Sequence, residues 1–320
     1  MIMGRTISLG LSSAASWAWG VSFLLTYTLI QGKGIVPFAV WAFFNTIAVP
    51  VFGLLFKNLI ELKKMLEKNR LLLYFVLIVQ FFSIIINLQA IYQMGTLVGI
   101  SSTVATFITM VCGTVFVLSV YHNLFNVVLY SNVVQWLIVF VFLAVIIILI
   151  PKGPGNTVEH FFGKSQDVSW SFYAGALLMC SPFVDLQGWI RAQKIDEEKR
   201  YGAFVFHGIF FGMYMLLIFV LSKYKLSNSV GLSLFLLVIM IATSTIQPNA
   251  YALKNNMRGG LFFALLGCLL WPFLKSLGIL TLWTWLASFR GVVVILMLIA
   301  LFIQKLRHIK SDKLKMSKNE

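Results

Sequence analysis

Apolar residues run along most of this chain in long stretches that short polar stretches separate. A helix needs about 20 apolar residues to cross the hydrocarbon core of a bilayer, which is about 30 Å thick. Strands of a membrane barrel would alternate polar and apolar residues, whereas these stretches are apolar on all sides. The pattern therefore predicts an all-α integral membrane protein with about ten transmembrane helices. We number them segments 1 to 10, and they cover residues 7–31, 35–56, 71–93, 97–120, 124–150, 169–190, 201–222, 228–250, 259–274 and 277–304.

The composition agrees with this class. Of the 320 residues, 60% are hydrophobic and only 11% are charged. Soluble domains carry about 25% charged residues, so no soluble domain fits beside the apolar segments. The four histidines are scattered and the three cysteines fall inside apolar segments, with no spacing typical of metal ligands or of a catalytic nucleophile and base. We therefore do not expect an enzyme.

Lysine and arginine are distributed unequally between the two sides of the predicted membrane. With the N-terminus in the cytoplasm, eighteen of them fall on the cytoplasmic side, six fall in outer loops, and Arg290 lies within segment 10. Cytoplasmic loops of membrane proteins are enriched in basic residues. We therefore expect the protein to be integral to the cytoplasmic membrane of a cell, with both termini in the cytoplasm. The formal net charge of +15 then indicates contact with anionic lipid at the cytoplasmic face, and we expect no nucleic-acid partner.

The longest loop divides the segments into five and five. An odd number of spans per half gives the halves opposite orientations, which is typical of inverted repeats in transporters. The hydropathy pattern thus predicts a first repeat at 1–151, an outer linker loop at 152–168, a second repeat at 169–304 and a basic cytoplasmic tail at 305–320.

The first segment of each half carries small and polar residues in its middle. Segment 1 contains "SSAASWAWGVS" (12–22) and segment 6 contains "CSPFVDLQG" (180–188). A proline at 182 removes a backbone donor from the second of these stretches. Interrupted helices at corresponding positions of two halves are typical of a transport site. We expect discontinuous helices in segments 1 and 6, although small residues also serve plain helix packing.

Asp185 is the only acidic residue within a predicted span. A charge at bilayer depth costs about 2.5–3.5 kcal/mol on insertion scales, so such residues face a polar cavity or a partner. Arg191 follows six residues later and offers a pairing partner at the end of the helix. Both interpretations stay open here: a gating or coupling carboxylate, and an interfacial aspartate that Arg191 or water satisfies.

Segment 8 carries three consecutive hydroxyl residues before a proline, in "IATSTIQPNAYALKN" (241–255). Hydroxyl and carbonyl oxygens are hard ligands that suit a small hard cation. Hydroxyls in membrane helices also commonly bond to their own backbone. Three in a row before Pro248 favour a cation site.

Four stretches, in this order along the chain, resemble motifs of the solute:sodium symporter family. They are "SWAWGVSFLL" in segment 1, "VYHNLFNVVLYSNVVQW" in segment 5, "SPFVDLQGWIRAQK" in segment 6 and "ATSTIQPNAYAL" in segment 8. The resemblance implies a leucine-transporter-type fold, in a short and divergent member, with sodium-coupled symport of a small polar solute by alternating access.

The resemblance also implies positions for the site residues. The suspected sodium ion falls between segments 1 and 8, and the solute falls beside it, between segments 1, 3, 6 and 8. The ligand positions for sodium are Ala15, Ala18, Ile241, Ser244 and Thr245. The solute positions are Ser16, Trp19, Asn87, Ser181 and Gln247. Gating or coupling positions are Asp185, Gln187, Arg191 and Asn132, the last of which replaces an aspartate of the family.

A second kind of transporter has a similar length. Drug/metabolite-type transporters also have ten short helices as five plus five, and they work by proton coupling or exchange. Their helices would be compact and would lack interruptions in segments 1 and 6. The backbone of these two segments therefore discriminates between the two hypotheses. Neither hypothesis names the solute or the oligomeric state.

Overall fold

The computed structural model describes residues 2–122, 125–150, 163–224 and 228–316. Within these residues the chain forms twelve α-helices and no strand. Segment 1 comprises two helices, segment 6 comprises two, and each other segment is one helix. The helices are α1 (Ile2–Trp17), α2 (Gly20–Lys33), α3 (Ile35–Lys68), α4 (Arg70–Leu97), α5 (Ser102–Leu118), α6 (Phe125–Leu149), α7 (Ser165–Val184), α8 (Leu186–Lys194), α9 (Glu197–Ser222), α10 (Asn228–Asn256), α11 (Gly260–Leu274) and α12 (Ile279–Met316).

The chain is an all-helical membrane protein, as its sequence predicts. Among the described residues, six helices are long and apolar enough to cross a bilayer, and the bent pair α1 and α2 would make a seventh span. Large apolar side chains point away from the protein interior, for example Phe107 (68% exposed), Ile148 (76%) and Phe273 (82%). Such a surface suits a hydrocarbon solvent, because in water it would be unusually large and apolar.

Both helical interruptions that the sequence predicts are present. Helices α1 and α2 meet at a bend of 68°, and Ala18 and Trp19 lie between them. The backbone of Trp19 is extended (φ −73°, ψ 153°). Helices α7 and α8 are separated by Asp185, whose backbone is extended (φ −87°, ψ 96°). Pro182 lies inside the last turn of α7, where its missing N–H weakens the continuation of the helix.

The two central helices are α4 and α10. They are the most buried of the candidate spans, and they pack against each other over much of their length. Around them, α3 packs against α7 and α9, and α1 packs against α9. Gly175 allows the close approach of α7 to α3, because a methyl group there would collide with the ring of Phe44. The interrupted helices therefore lie beside a rigid central pair.

Helices α3 and α12 extend furthest beyond the segments that the hydropathy pattern predicts. Helix α3 continues to Lys68, through a basic stretch assigned to a cytoplasmic loop, and α12 continues to Met316, so most of the predicted basic tail (305–320) extends this helix. Helix α7 begins at Ser165, inside the predicted linker 152–168, whose residues before 163 lie outside the described part of the chain. Basic side chains lower hydropathy without preventing a helix, because lysine and arginine are good helix formers.

The C-terminal end of α2 contacts the N-terminal end of α7. Lys33, at the end of α2, forms an ion pair of 2.6 Å with Asp167 in the first turn of α7. The same ammonium group lies 4.9 Å from the ring centre of Trp170. These contacts are partly exposed and contribute about 1 kcal/mol at most. Their main consequence is geometric, since they hold the two segments side by side.

Candidate functional site

The two helical interruptions lie beside one polar cavity within the bundle. The cavity has room for about one water molecule in the described conformation. Its polar walls come from segments 1, 3, 6, 8 and 10 and include Trp19, Gln80, Ser83, Ser181, Asp185, Asn249 and Arg290. Four of these segments are those between which the resemblance places the solute, and segment 10 is an addition.

A side chain of α4 provides a hydrogen-bond partner for the backbone at the first interruption. The N–H of Gly20, the first residue of α2, donates to Asn87 Oδ1 at 2.9 Å, and Asn87 Nδ2 donates to the Ser83 carbonyl at 2.8 Å. The first N–H groups of a helix have no partner within the helix. Gly20 also permits a close approach, because a methyl group there would lie 3.1 Å from the Cβ of Ala90 on α4. Asn87 therefore stabilises the interruption.

The same helix also provides a hydrogen-bond partner for the backbone at the second interruption. Gln80 Nε2 donates to the carbonyl of Val184, the last residue of α7, at 2.8 Å. The indole N–H of Trp189 on α8 donates to the Phe183 carbonyl at 3.0 Å. The terminal carbonyls of a helix also lack partners within the helix, and leaving them unpaired in a membrane costs several kcal/mol. One helix, α4, thus provides polar partners for both interrupted segments.

Asp185 is the N-cap of α8. Its Oδ1 accepts a hydrogen bond from the backbone N–H of Gln187 at 3.1 Å, and its carboxylate lines the cavity. A carboxylate at a helix N-terminus is stabilised by the unpaired N–H groups and by the helix dipole. The structure therefore gives Asp185 a structural partner within its own segment. The side chain of Arg191, the partner considered from the sequence, lies outside the described part of the structure.

Replacing Asp185 separates its capping role from its charge. We expect Asp185→Ala to lower the free energy of unfolding by about 1 kcal/mol, because the cap is lost. We expect Asp185→Asn to retain most of this stability, since asparagine caps helices about as well as aspartate. Thermal unfolding of the purified protein in one detergent measures both changes. Equal destabilisation by the two variants would contradict the capping role and indicate that the charge itself is required.

A cluster of oxygen atoms links α10 to α1 just before the first interruption. The hydroxyl oxygen of Ser244 lies 2.8 Å from the carbonyl oxygen of Ala15 and 2.7 Å from that of Ile241. A hydroxyl has one proton, so it can satisfy one of these carbonyls fully and the other only in part. The neighbouring Thr245 is fully buried, and its hydroxyl has no hydrogen-bond partner among the described residues.

This cluster has the chemistry of an alkali cation site. Its members are neutral hydroxyl and carbonyl oxygens, which are the ligands that unwound membrane helices offer to sodium. Ala18, a further position implied by the resemblance, lies in the interruption itself and is fully buried. Among the described residues, no group of three His, Cys, Asp or Glu side chains is placed to bind a metal. The residues present therefore fit sodium better than a transition metal.

Arg290 is the charged residue of this site that the sequence interpretation did not assign, and the neutral residues Gln80, Ser83 and Asn249 were not assigned either. Arg290 lies on α12 and is only 4% exposed. Its Nη1 donates to Ser181 Oγ at 3.1 Å, its Nη2 donates to Ser83 Oγ at 3.0 Å, and its guanidinium carbon lies 4.3 Å from the ring centre of Trp19. A single arginine within an apolar span is itself a sequence signal for a functional site, since such residues are rare in membrane helices.

Some predicted site residues meet at this cavity and others do not. Trp19, Ser181 and Asp185 line it. The hydroxyl of Ser16 donates to the Ser13 carbonyl of its own helix, and the amide of Gln247 donates to Ser119 near the end of α5, so these two predicted solute positions do not line the cavity. Asn132 and Gln187 are buried but likewise do not line it.

Comparisons with known proteins assign no family to this chain. The chain matches no protein-family model, no curated protein and no solved structure. The functional interpretation of the chain therefore depends on the geometry of the site itself.

Proposed function

We propose that this protein is a secondary active transporter that couples sodium to the symport of a small polar solute by alternating access. The observation that carries this proposal is the oxygen cluster in which the Ser244 hydroxyl lies between the carbonyls of Ala15 and Ile241. The cluster joins the first interrupted segment to a central helix, so an ion bound there would stabilise one arrangement of the two. This is the kind of bistable element that transport requires.

The ten-span topology is part of the same proposal. The interruptions fall in the first segment of each group of five, at Ala18–Trp19 and at Asp185, as two inverted repeats would place them. The distribution of basic residues favours cytoplasmic termini and anionic lipid at that face. In this orientation α1 and α8 are the cytoplasmic half-helices, whereas α2 and α7 are the outer ones. The arrangement supports a place among sodium symporters of the leucine-transporter type.

Sodium and solute would reinforce each other's binding through the first interruption. A cation between Ala15 and Ser244 would fix the end of α1, and Trp19, a few residues further on, lines the adjacent cavity. A fixed end of α1 would also fix the position of Trp19, which forms part of the cavity wall that the solute contacts. By linkage, the solute must then raise sodium affinity by the same factor by which sodium raises solute affinity.

The drug/metabolite-type alternative fits less well. That alternative expects compact, continuous helices, whereas segment 1 bends by 68° and segment 6 is interrupted at Asp185. We therefore retain this alternative only as the competing outcome of the experiment below.

Transport of radiolabelled sodium tests the proposed function. The purified protein is reconstituted into liposomes and offered ²²Na⁺ together with pooled small solutes: amino acids, sugars, organic acids, nucleosides and urea. We expect at least one pool to stimulate ²²Na⁺ uptake several-fold over protein-free liposomes. Uptake of the active solute should require sodium and should cease when choline replaces it.

Two controls discriminate between the hypotheses. The variant Ser244→Ala/Thr245→Ala should reconstitute normally and show no solute-stimulated ²²Na⁺ uptake. A pool that carries protons into the liposomes in sodium-free buffer would instead favour the drug/metabolite type. Equal solute uptake in sodium and choline would contradict sodium coupling.

A further inference from the structure

Arg290 has far more hydrogen-bonding capacity than its surroundings use. A guanidinium carries five N–H donors. Within the described part of the chain Arg290 makes two hydrogen bonds, both to neutral hydroxyls, those of Ser83 and Ser181. Its Nε is buried and has no hydrogen-bond partner among the described residues. Burying an arginine costs free energy unless its N–H donors have acceptors. The unused donors of Arg290 therefore need an explanation.

The guanidinium is held in a fixed plane beside the cavity. Trp19 packs against its face, with 4.3 Å between the guanidinium carbon and the ring centre, and two serines on different helices hold its outer nitrogens. Arginine in this setting presents an edge of parallel N–H groups that matches the two oxygens of a carboxylate. Asn249 also lines the cavity, and its side-chain carbonyl oxygen has no hydrogen-bond partner among the described residues. This oxygen would accept from a hydroxyl or amine group elsewhere on the solute, because an ionised carboxylate has no proton to donate.

The charges around the cavity favour an anion when sodium is bound. Arg290 and Asp185 both line it and have opposite charges. The Asp185 carboxylate also caps α8, so part of its charge is compensated by that helix N-terminus. A sodium ion at the neighbouring oxygen cluster would leave the site with one net positive charge. One carboxylate would neutralise it, whereas a neutral solute would leave a net charge buried.

We propose that Arg290 binds a carboxylate group of the transported solute, which makes the substrate class small monocarboxylates. This inference rests on the proposed function, because it assigns the solute of the same site. The carboxylate takes the place of the serine hydroxyls at the guanidinium when the half-helices move apart. Ser83 and Ser181 hold the guanidinium in the absence of solute, and Trp19 keeps its plane fixed.

Matched carboxylate and amide probes test this proposal on the full-length protein. Thermal unfolding is followed in sodium methanesulfonate with acetate or acetamide, lactate or lactamide, and benzoate or benzamide. We expect at least one carboxylate to raise the midpoint saturably, with at least about 10-fold higher affinity than its amide, since each charged hydrogen bond that is lost costs about a factor of ten or more. The absence of any such preference in the unmodified protein would overturn the proposal. A shift with sodium chloride alone, and with no carboxylate, would also overturn it, because the anion would then be inorganic.

Variants assign the effect to Arg290. We expect Arg290→Gln to lose the carboxylate shift, and Arg290→Lys to keep the preference with about 10-fold weaker binding, because lysine lacks the two-pronged edge. The matched control is Arg258→Gln, which removes an exposed arginine from the turn between α10 and α11 and should change nothing. If Arg290→Gln does not fold, Arg290→Lys decides, and unchanged carboxylate affinity in that variant would overturn the proposal.

Sodium binding separates this inference from the proposed function. Each variant is also tested for ²²Na⁺ binding in detergent. Sodium binding without carboxylate preference would overturn the assignment of Arg290 and leave the sodium symporter proposal intact. If the unmodified protein does not bind sodium, both the symporter proposal and the assignment of Arg290 are contradicted.

Discussion

Replacing Ser244 and Thr245 together with alanine is expected to abolish sodium binding. The Ser244 hydroxyl lies within 2.8 Å of the carbonyls of Ala15 and Ile241, and the Thr245 hydroxyl is buried without a partner among the described residues. A polar contact to a charged group contributes about 1.5–3 kcal/mol, so each lost ligand should weaken binding about 10-fold or more and both about 100-fold or more. Equilibrium binding of ²²Na⁺ to the purified protein measures this.

The matched control is a substitution of Thr243, the residue before Ser244. The Thr243 hydroxyl donates to the Ile239 carbonyl of its own helix at 2.9 Å, so Thr243→Ala removes a hydroxyl from the same stretch without touching the oxygen cluster. We expect its sodium affinity to stay within a factor of about two, as for a substitution remote from the ion. If the double variant binds sodium as tightly as Thr243→Ala and the unmodified protein do, the ion does not bind at this cluster.

Replacing Asn87 with alanine is expected to cause the largest loss of stability among these variants. Its side chain is fully buried, accepts from the Gly20 N–H and donates to the Ser83 carbonyl. Alanine would leave the N–H at the start of α2 unpaired, at a cost of about 1–3 kcal/mol. Thermal unfolding should show this loss, and sodium binding should weaken as well, because the interruption in segment 1 loses its fixed geometry.

Asn45 provides the comparison for that variant. It is equally a buried asparagine on a packed helix, but its Nδ2 donates to the Trp41 carbonyl of the preceding turn, which α3 already satisfies. We expect Asn45→Ala to cost less stability than Asn87→Ala and to leave sodium binding unchanged. Similar effects of both substitutions on sodium binding would show that Asn87 acts through general packing rather than through the interruption.

The interruptions themselves could be predicted because they have local causes. Ser16 and Gly20 flank the two tryptophans of segment 1, and serine and glycine favour a helix less than alanine does. A proline at 182 removes a backbone donor shortly before Asp185. The ends of α3 and α12 are harder to predict from the sequence, because basic residues lower hydropathy but do not stop a helix. The capping role of Asp185 follows from backbone geometry, which the alternatives of gating carboxylate and interfacial aspartate did not include.

The sequence by itself determined that this is an all-helical membrane protein and where its helices are interrupted, because hydropathy and backbone preference are properties of neighbouring residues. Only the tertiary structure decided which side chains meet at those interruptions. Ser244 and Ala15 are 229 positions apart, and Arg290 reaches Ser83 across 207. Such contacts depend on how helices pack, and apolar helices in a membrane can pack in many ways that a hydropathy pattern does not distinguish. That is why the oxygen cluster could be placed from the sequence only by resemblance, and why Arg290 became a site residue only when α12 was seen beside α4 and α7.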